Sequence, residues 1–139
     1  MSLARPRIKP YISRITVADL TPDDEKWLDI ALKTDYHGLS MGRALALVAQ
    51  DTMQLWRMGR FEGIFVTEIV AWENGTSLVG LYLAGKGYIK NLDSIVETLK
   101  YFASNQGCRT IEFSTRLKGL QRIYEKKFTE SSRTYSIGV

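Results

Sequence analysis

Cysteine, histidine and proline are scarce in this sequence, and the first two scarcities each remove a class of function. The single cysteine, Cys108, cannot close an internal disulfide, and with one histidine, His37, it supplies no zinc-ligand spacing. A reducing, cytosolic compartment is the expectation. No apolar run approaches the length of a membrane span. Residues 1–10 carry Arg5, Arg7 and Lys9 without the apolar segment of a secretory signal. Internal repeats, low-complexity tracts and linker-like stretches are also missing. The 139 residues therefore read as one domain, 1–139, with residues 1–10 as a flexible basic arm.

What is present is the composition of a globular protein with a sizeable core, 45% apolar and 24% charged. The net charge of +4 is carried by Arg5, Arg7, Lys9 and Arg14, which leave 15 bases against 15 acids in the remainder. A second basic cluster, Arg116, Lys118, Arg122, Lys126, Lys127 and Arg133, lies near the C-terminus among Glu125 and Glu130. Such patches suit a phosphate ligand, nucleic acid or an acidic partner, or they are simply solvated. No aromatic-interleaved RNA motif or helix-turn-helix pattern points to nucleic acid.

Hydrophobic periodicity places a first strand over Tyr11 to Val17. Thr21-Pro22-Asp23-Asp24 starts a helix whose buried stripe is Trp27, Leu28, Ala31 and Leu32. A second helix begins near Ser40 with Met41, Ala44, Leu45 and Val48, and Thr52 to Met58 is a strand. Gly63 to Trp72, apolar on both faces, suits a central strand. A two-residue turn at Asn74-Gly75 pairs Glu73 with Thr76, sets Glu68 opposite Leu81 and Thr67 opposite Tyr82, and groups Glu68 with Val66, Val70, Val79 and Leu83 on one face. The strand Ser77 to Ala84 runs into Gly85-Lys86-Gly87, then into a helix opening at Asn91, with Leu92, Ile95, Val96, Leu99, Phe102 and Ala103 inward and Gly107 as its stop. Thr110 to Ser114, a helix from Leu117 to Lys127 and a strand from Thr134 to Val139 complete the chain. The expected fold is α/β (α+β): a mixed, mostly antiparallel sheet flanked by helices, in the order β-α-α-β-β-β-α-β-α-β.

That order resembles the GNAT (acyl-CoA N-acyltransferase) superfamily. The segment from Ile12 to Leu20 resembles its opening strand and turn, Gly85-Lys86-Gly87 falls where its pyrophosphate loop leaves the fourth strand, and Ile123-Tyr124-Glu125-Lys126-Lys127-Phe128 is similar to its late signature. Thr67-Glu68-Ile69-Val70 and Leu83-Ala84-Gly85 look most like the short GNAT-like proteins encoded by phages and prophages, which often lie near virion-assembly genes. The glycine loop lacks the usual leading arginine or glutamine, and Lys127 stands where a glycine is customary.

The resemblance implies acetyl-CoA or another acyl-CoA as cofactor and an amine as acceptor. Leu83, Gly85, Lys86, Gly87 and Asn91 would hold the pyrophosphate, with Asn91 capping the helix. A plain strand-to-helix turn needs the same glycines. Glu68 is the candidate base, since a carboxyl on an apolar face should have its pKa raised; the other reading is a structural glutamate paired with an arginine or a backbone N–H. Tyr124 matches the family tyrosine that protonates the departing thiolate, or it packs the last helix on the sheet. Cys108 reads as a small core residue, and the three tryptophans as core or interface anchors; joint exposure of Trp56 and Met58 would mark a partner surface. Two functions follow. One is an acyltransferase of the host-cell cytoplasm. The other is a non-catalytic virion or assembly protein that self-associates or binds a phage structural protein.

Overall fold

The computed structural model describes residues 10–33, 38–114, 129–131 and 134–138. Over these the chain is mixed α+β. β1 (Ile12–Ile15) leads through a 3-10 turn (Val17–Asp19) to α1 (Pro22–Lys33) and α2 (Met41–Ala49). β2 (Met53–Met58), β3 (Gly63–Trp72) and β4 (Gly75–Gly85) follow, then α3 (Leu92–Asn105), β5 (Thr110–Ser114), β6 (Thr129–Ser131) and β7 (Thr134–Gly138). The strands form one sheet in the order β1-β2-β3-β4-β5-β7-β6, antiparallel throughout except for the β4–β5 pair. β6 was not expected from the sequence; the helix expected over Leu117 to Lys127, His37 and residues 1–9 lie outside the described residues. No helix among the described residues is long and apolar enough to cross a membrane.

The sheet is a partition between two cores. On one face Trp56, Met58, Phe65, Leu78 and Phe113 pack against Leu92, Ile95, Leu99 and Ala103 of α3. On the other, Leu55, Ile64 and Val66 pack against Leu28 and Leu32 of α1 and Ala44 and Val48 of α2. Alternation along β3 explains why that strand is apolar on both sides: Ile64 and Val66 serve one core, Phe65 the other. Trp56 and Met58 are both buried, so they form no exposed partner surface.

The hairpin differs from expectation in two respects. Its turn residues are Glu73 and Asn74, with Trp72 opposite Gly75. Neither Glu73 nor Asn74 has positive φ; the positive φ falls on Gly75, at 136°. Arg109 Nη1 donates to the Asn74 carbonyl (2.5 Å) and lies against Gly75, where a Cβ would come within 2.6 Å of its Cδ. Farther along, Thr67 pairs with Gly80 but Val66 pairs with Tyr82, so Leu81 is a one-residue bulge. Glu68 therefore faces Val79, and Leu83 lies opposite Phe65 on the α3 side rather than on the face of Glu68.

Helix ends follow their local chemistry. Thr21 Oγ1 accepts from the Asp24 amide (3.3 Å), and Asp24 Oδ2 accepts in return from the Thr21 amide (3.0 Å). The C-terminus of α3 closes with Gly107 N–H on the Ser104 carbonyl and Cys108 N–H on that of Ala103. Asp24 also makes the strongest polar tie between layers. Its carboxylate is fully buried and accepts from Arg57 Nη2 at 2.6 Å and Nε at 3.0 Å, while the guanidinium lies 4.6 Å from the Phe61 ring centroid. Burial opposes the charge of Asp24, but hydrogen bonds from Arg57 and Thr21 outweigh it and hold its pKa below the ordinary value.

Removing the arginine would leave that carboxylate buried without its cation. Arg57→Met should cost about 3 kcal/mol in urea unfolding at neutral pH. A depressed carboxyl pKa contributes stability that is complete above the unfolded value and lost as pH falls through the folded one. The gap between the wild type and Arg57→Met should therefore narrow in acid, below the normal aspartate range.

Candidate functional site

Beyond Gly80, β4 parts from β5. Ser77 to Gly80 pair with Thr110 to Phe113, whereas the segment from Tyr82 to Gly85 is paired on its β3 side alone among the described residues. The bulge at Leu81 coincides with this parting. The unaccompanied segment leads straight to Gly85-Lys86-Gly87 and the N-terminus of α3, so Leu83, Gly85, Lys86, Gly87 and Asn91 follow one another from the end of β4 to the start of α3.

Both glycines of the loop are required by packing. Gly85 has φ 140°, and a Cβ there would fall 2.4 Å from the Glu62 carbonyl oxygen and from Gly63 Cα. Gly87 has φ 78°, and its Cβ would meet Tyr11 Oη at 2.4 Å. The Lys86 amide donates to the Glu62 carbonyl (2.9 Å), docking the loop on the β2–β3 turn. The amides of Gly87, Ile89 and Lys90 have no acceptor among the described residues, and the Lys86 and Lys90 side chains are exposed without an acidic partner there. These are the donors and charges that an anion could use.

Asn91 does not cap α3 through its side chain as expected. Its Nδ2 donates to the Gly87 carbonyl (2.8 Å), and no N–H of the helix donates to its side chain. The loop is closed on itself instead.

Tyr11, which no local motif singles out, organises the site. Its amide donates to Ser94 Oγ (3.0 Å), and its hydroxyl donates to the Lys86 carbonyl (2.8 Å) and more weakly to Glu62 Oε2 (3.4 Å). Burial, then the negative charge of Glu62, raises the phenol pKa and keeps it a donor. Tyr88 is buried in the α3-side core and stacks on Phe65, with ring centroids 5.8 Å apart.

Glu68 stands apart from the loop. It lies five residues along β3 from Gly63, the partner of Gly85, which is about 16 Å of extended strand. It is half-buried, flanked by Met53 and Val79, and its side chain makes no hydrogen bond or ion pair among the described residues. The arginine or backbone partner of the structural reading is thus not found there. On the far side of Val79, in the same row of the sheet, is Glu112, whose Oε2 accepts from Trp72 Nε1 (3.1 Å). Sequence reasoning passed over Glu112 because its neighbours Ile111 and Phe113 dominate the strand. Tyr124 lies outside the described residues. No cluster of three metal-ligating side chains occurs among the described residues. Cys108 is buried, and burial raises its thiol pKa, as befits a core residue.

No protein-family model matches the chain, and no curated protein is significantly similar to it.

The packing around the two glycines sets an order of tolerance. Gly85→Ala should cost on the order of 3 kcal/mol, because backbone atoms that cannot retreat occupy the space. Gly87→Ala should cost about 1–2 kcal/mol, since the obstacle is a side-chain hydroxyl and the backbone strain of one left-handed residue. Combining Gly87→Ala with Tyr11→Phe should cost less than the sum of the single changes in thermal unfolding, because the phenylalanine removes the clashing oxygen.

Proposed function

We propose that this protein binds an acyl-CoA, with the phosphates on the loop from Gly85 to Asn91 and the pantetheine arm along the unaccompanied part of β4. The observation that carries this reading is the separation of β4 from β5 at Leu81, which leads to a lysine-bearing loop at a helix N-terminus. The extended arm would carry the thioester away from the phosphates along the strand. The same reading makes transfer to an amine the reaction, by direct attack of the acceptor on the thioester carbon and departure of CoA as thiolate. Glu68 would take the amine proton, directly or through water, and Tyr124 would protonate the thiolate. The similarity to the GNAT superfamily, and within it to phage and prophage proteins, is part of this proposal.

One feature favours a second reading, a virion or assembly protein that retains the fold without chemistry. Phe61, 40% exposed with φ 58°, and Ile89, 56% exposed, stand on the two segments joined by the Lys86–Glu62 bond. Bulky apolar residues exposed at such a junction suit a protein partner.

Calorimetric titration with acetyl-CoA and desulfo-CoA separates the two. Micromolar binding, lost in Gly87→Glu and weakened about tenfold in Lys86→Glu with unchanged melting temperature, supports the first. The exposed Lys86 serves as the control for any misfolding caused at Gly87. Absence of binding by folded wild type at millimolar ligand removes the acyl-CoA reading. Where turnover is found, Tyr124→Phe should lower kcat while leaving CoA affinity nearly unchanged; equal activity would take Tyr124 out of the mechanism.

A further inference from the structure

On the α1–α2 side of the sheet, the half nearest the β3–β4 hairpin has no helix packed on it among the described residues. Glu68, Val70 and Trp72 of β3, Val79 of β4 and Glu112 of β5 share that face, and Val70 and Val79, both partly exposed, belong to neither core. Trp72 is 56% exposed. Its Nε1 donates to Glu112 Oε2 at 3.1 Å, which stretches the indole across β4 and holds it in place.

The charge of this face is negative. Glu68 and Glu112 flank Val79 in one row, two strand spacings or about 10 Å apart. Glu73 is exposed in the adjoining turn, and Arg109, at the same turn, gives Nη1 to the Asn74 carbonyl. An indole held beside carboxylates is complementary to a guanidinium, which stacks on the ring while its N–H groups pair with the acids.

The sequence carries the matching pattern. Arg5, Arg7 and Lys9 stand at alternate positions with no acid between them, and with Arg14 they account for the net charge of +4. Alternate side chains of an extended chain share one side, about 7 Å apart, so two long arginines can serve both glutamates.

Distance prevents a chain from using its own arm in this way. Tyr11 accepts from the Gly59 amide at one end of the sheet, and Glu112 shares a row with Met53. By strand rise and spacing Tyr11 and Glu112 are about 28 Å apart. Arg7 lies within about 14 Å of extended chain from Tyr11 and Arg5 within about 21 Å. The α1 and α2 layer also stands across the direct line.

We propose that the basic arm of one copy docks on this face of a second copy, with one arginine stacked on Trp72 and paired with Glu112 and another reaching Glu68. Exchange in both directions closes a two-fold dimer. The inference does not rest on the acyl-CoA reading, and its test uses no ligand.

Sedimentation of the full chain at low salt should show dimers that form as protein concentration rises and dissociate as salt is added. Trp72→Ala, at an exposed side chain, should weaken dimerisation about tenfold with the melting temperature unchanged. Arg5→Glu with Arg7→Glu, and separately Glu68→Lys with Glu112→Lys, should each give a folded monomer. An equimolar mixture of those two folded chains should associate again, because the reversed arm meets a reversed face. A wild type that stays monomeric, dimerisation insensitive to Trp72→Ala, or no association in the mixture would each overturn the proposal. So would a monomer whose Trp72 indole resonance moves with the arm changes, since the arm would then lie on its own face.

Discussion

One unpaired residue, Leu81, sets the arrangement of the whole central sheet. Before it, β4 is held on both edges and its alternation matches that of β3. After it, the faces exchange: Tyr82 takes the side of Val66, and Leu83 turns to Phe65 and the α3 core. A bulge adds local twist and bends its strand. Here it also coincides with the last residue pair shared with β5, so the strand that continues to the glycine loop does so with one edge unaccompanied.

Polar side chains tie the helices and loops of each face to the sheet. Arg57, on β2, reaches the first turn of α1 through Asp24 and the preceding segment through the Asp19 carbonyl (3.0 Å). Tyr11 joins the segment before β1 to α3 through Ser94 and to the glycine loop through Lys86. Trp27 adds a bond from its indole to the Phe61 carbonyl (3.1 Å), holding α1 over the β2–β3 turn. These contacts link segments distant in sequence, and each uses a side chain long enough to cross from one layer to the next.

Much of the fold was legible from periodicity. The stripe from Leu92 to Ala103 and the doubly apolar β3 are imposed by burial, and burial repeats with the period of the element that carries it. Thr21-Pro22 and Gly107 marked helix ends because capping is a short-range interaction. Register was not legible. Asn74-Gly75 is a good turn dipeptide, but Arg109, far along the chain, holds the turn one residue earlier, and no local pattern announces a bulge at Leu81. The glycine loop could be located from its strand and helix. Its closure could not, because Tyr11 and Glu62 reach it from elsewhere in the sequence. The same holds for Asp24, which reads as a first-turn acid until Arg57 is placed beside it.

The burial of Cys108 has an experimental consequence. The chain has a single thiol, it is 5% exposed, and burial raises its pKa, so the reactive thiolate is scarce in the closed structure. Its position directly after the α3 stop places it at the joint between that helix and β5. A disulfide reagent would therefore react at a rate governed by how often this joint opens, and the wild-type protein carries its own clock for that motion.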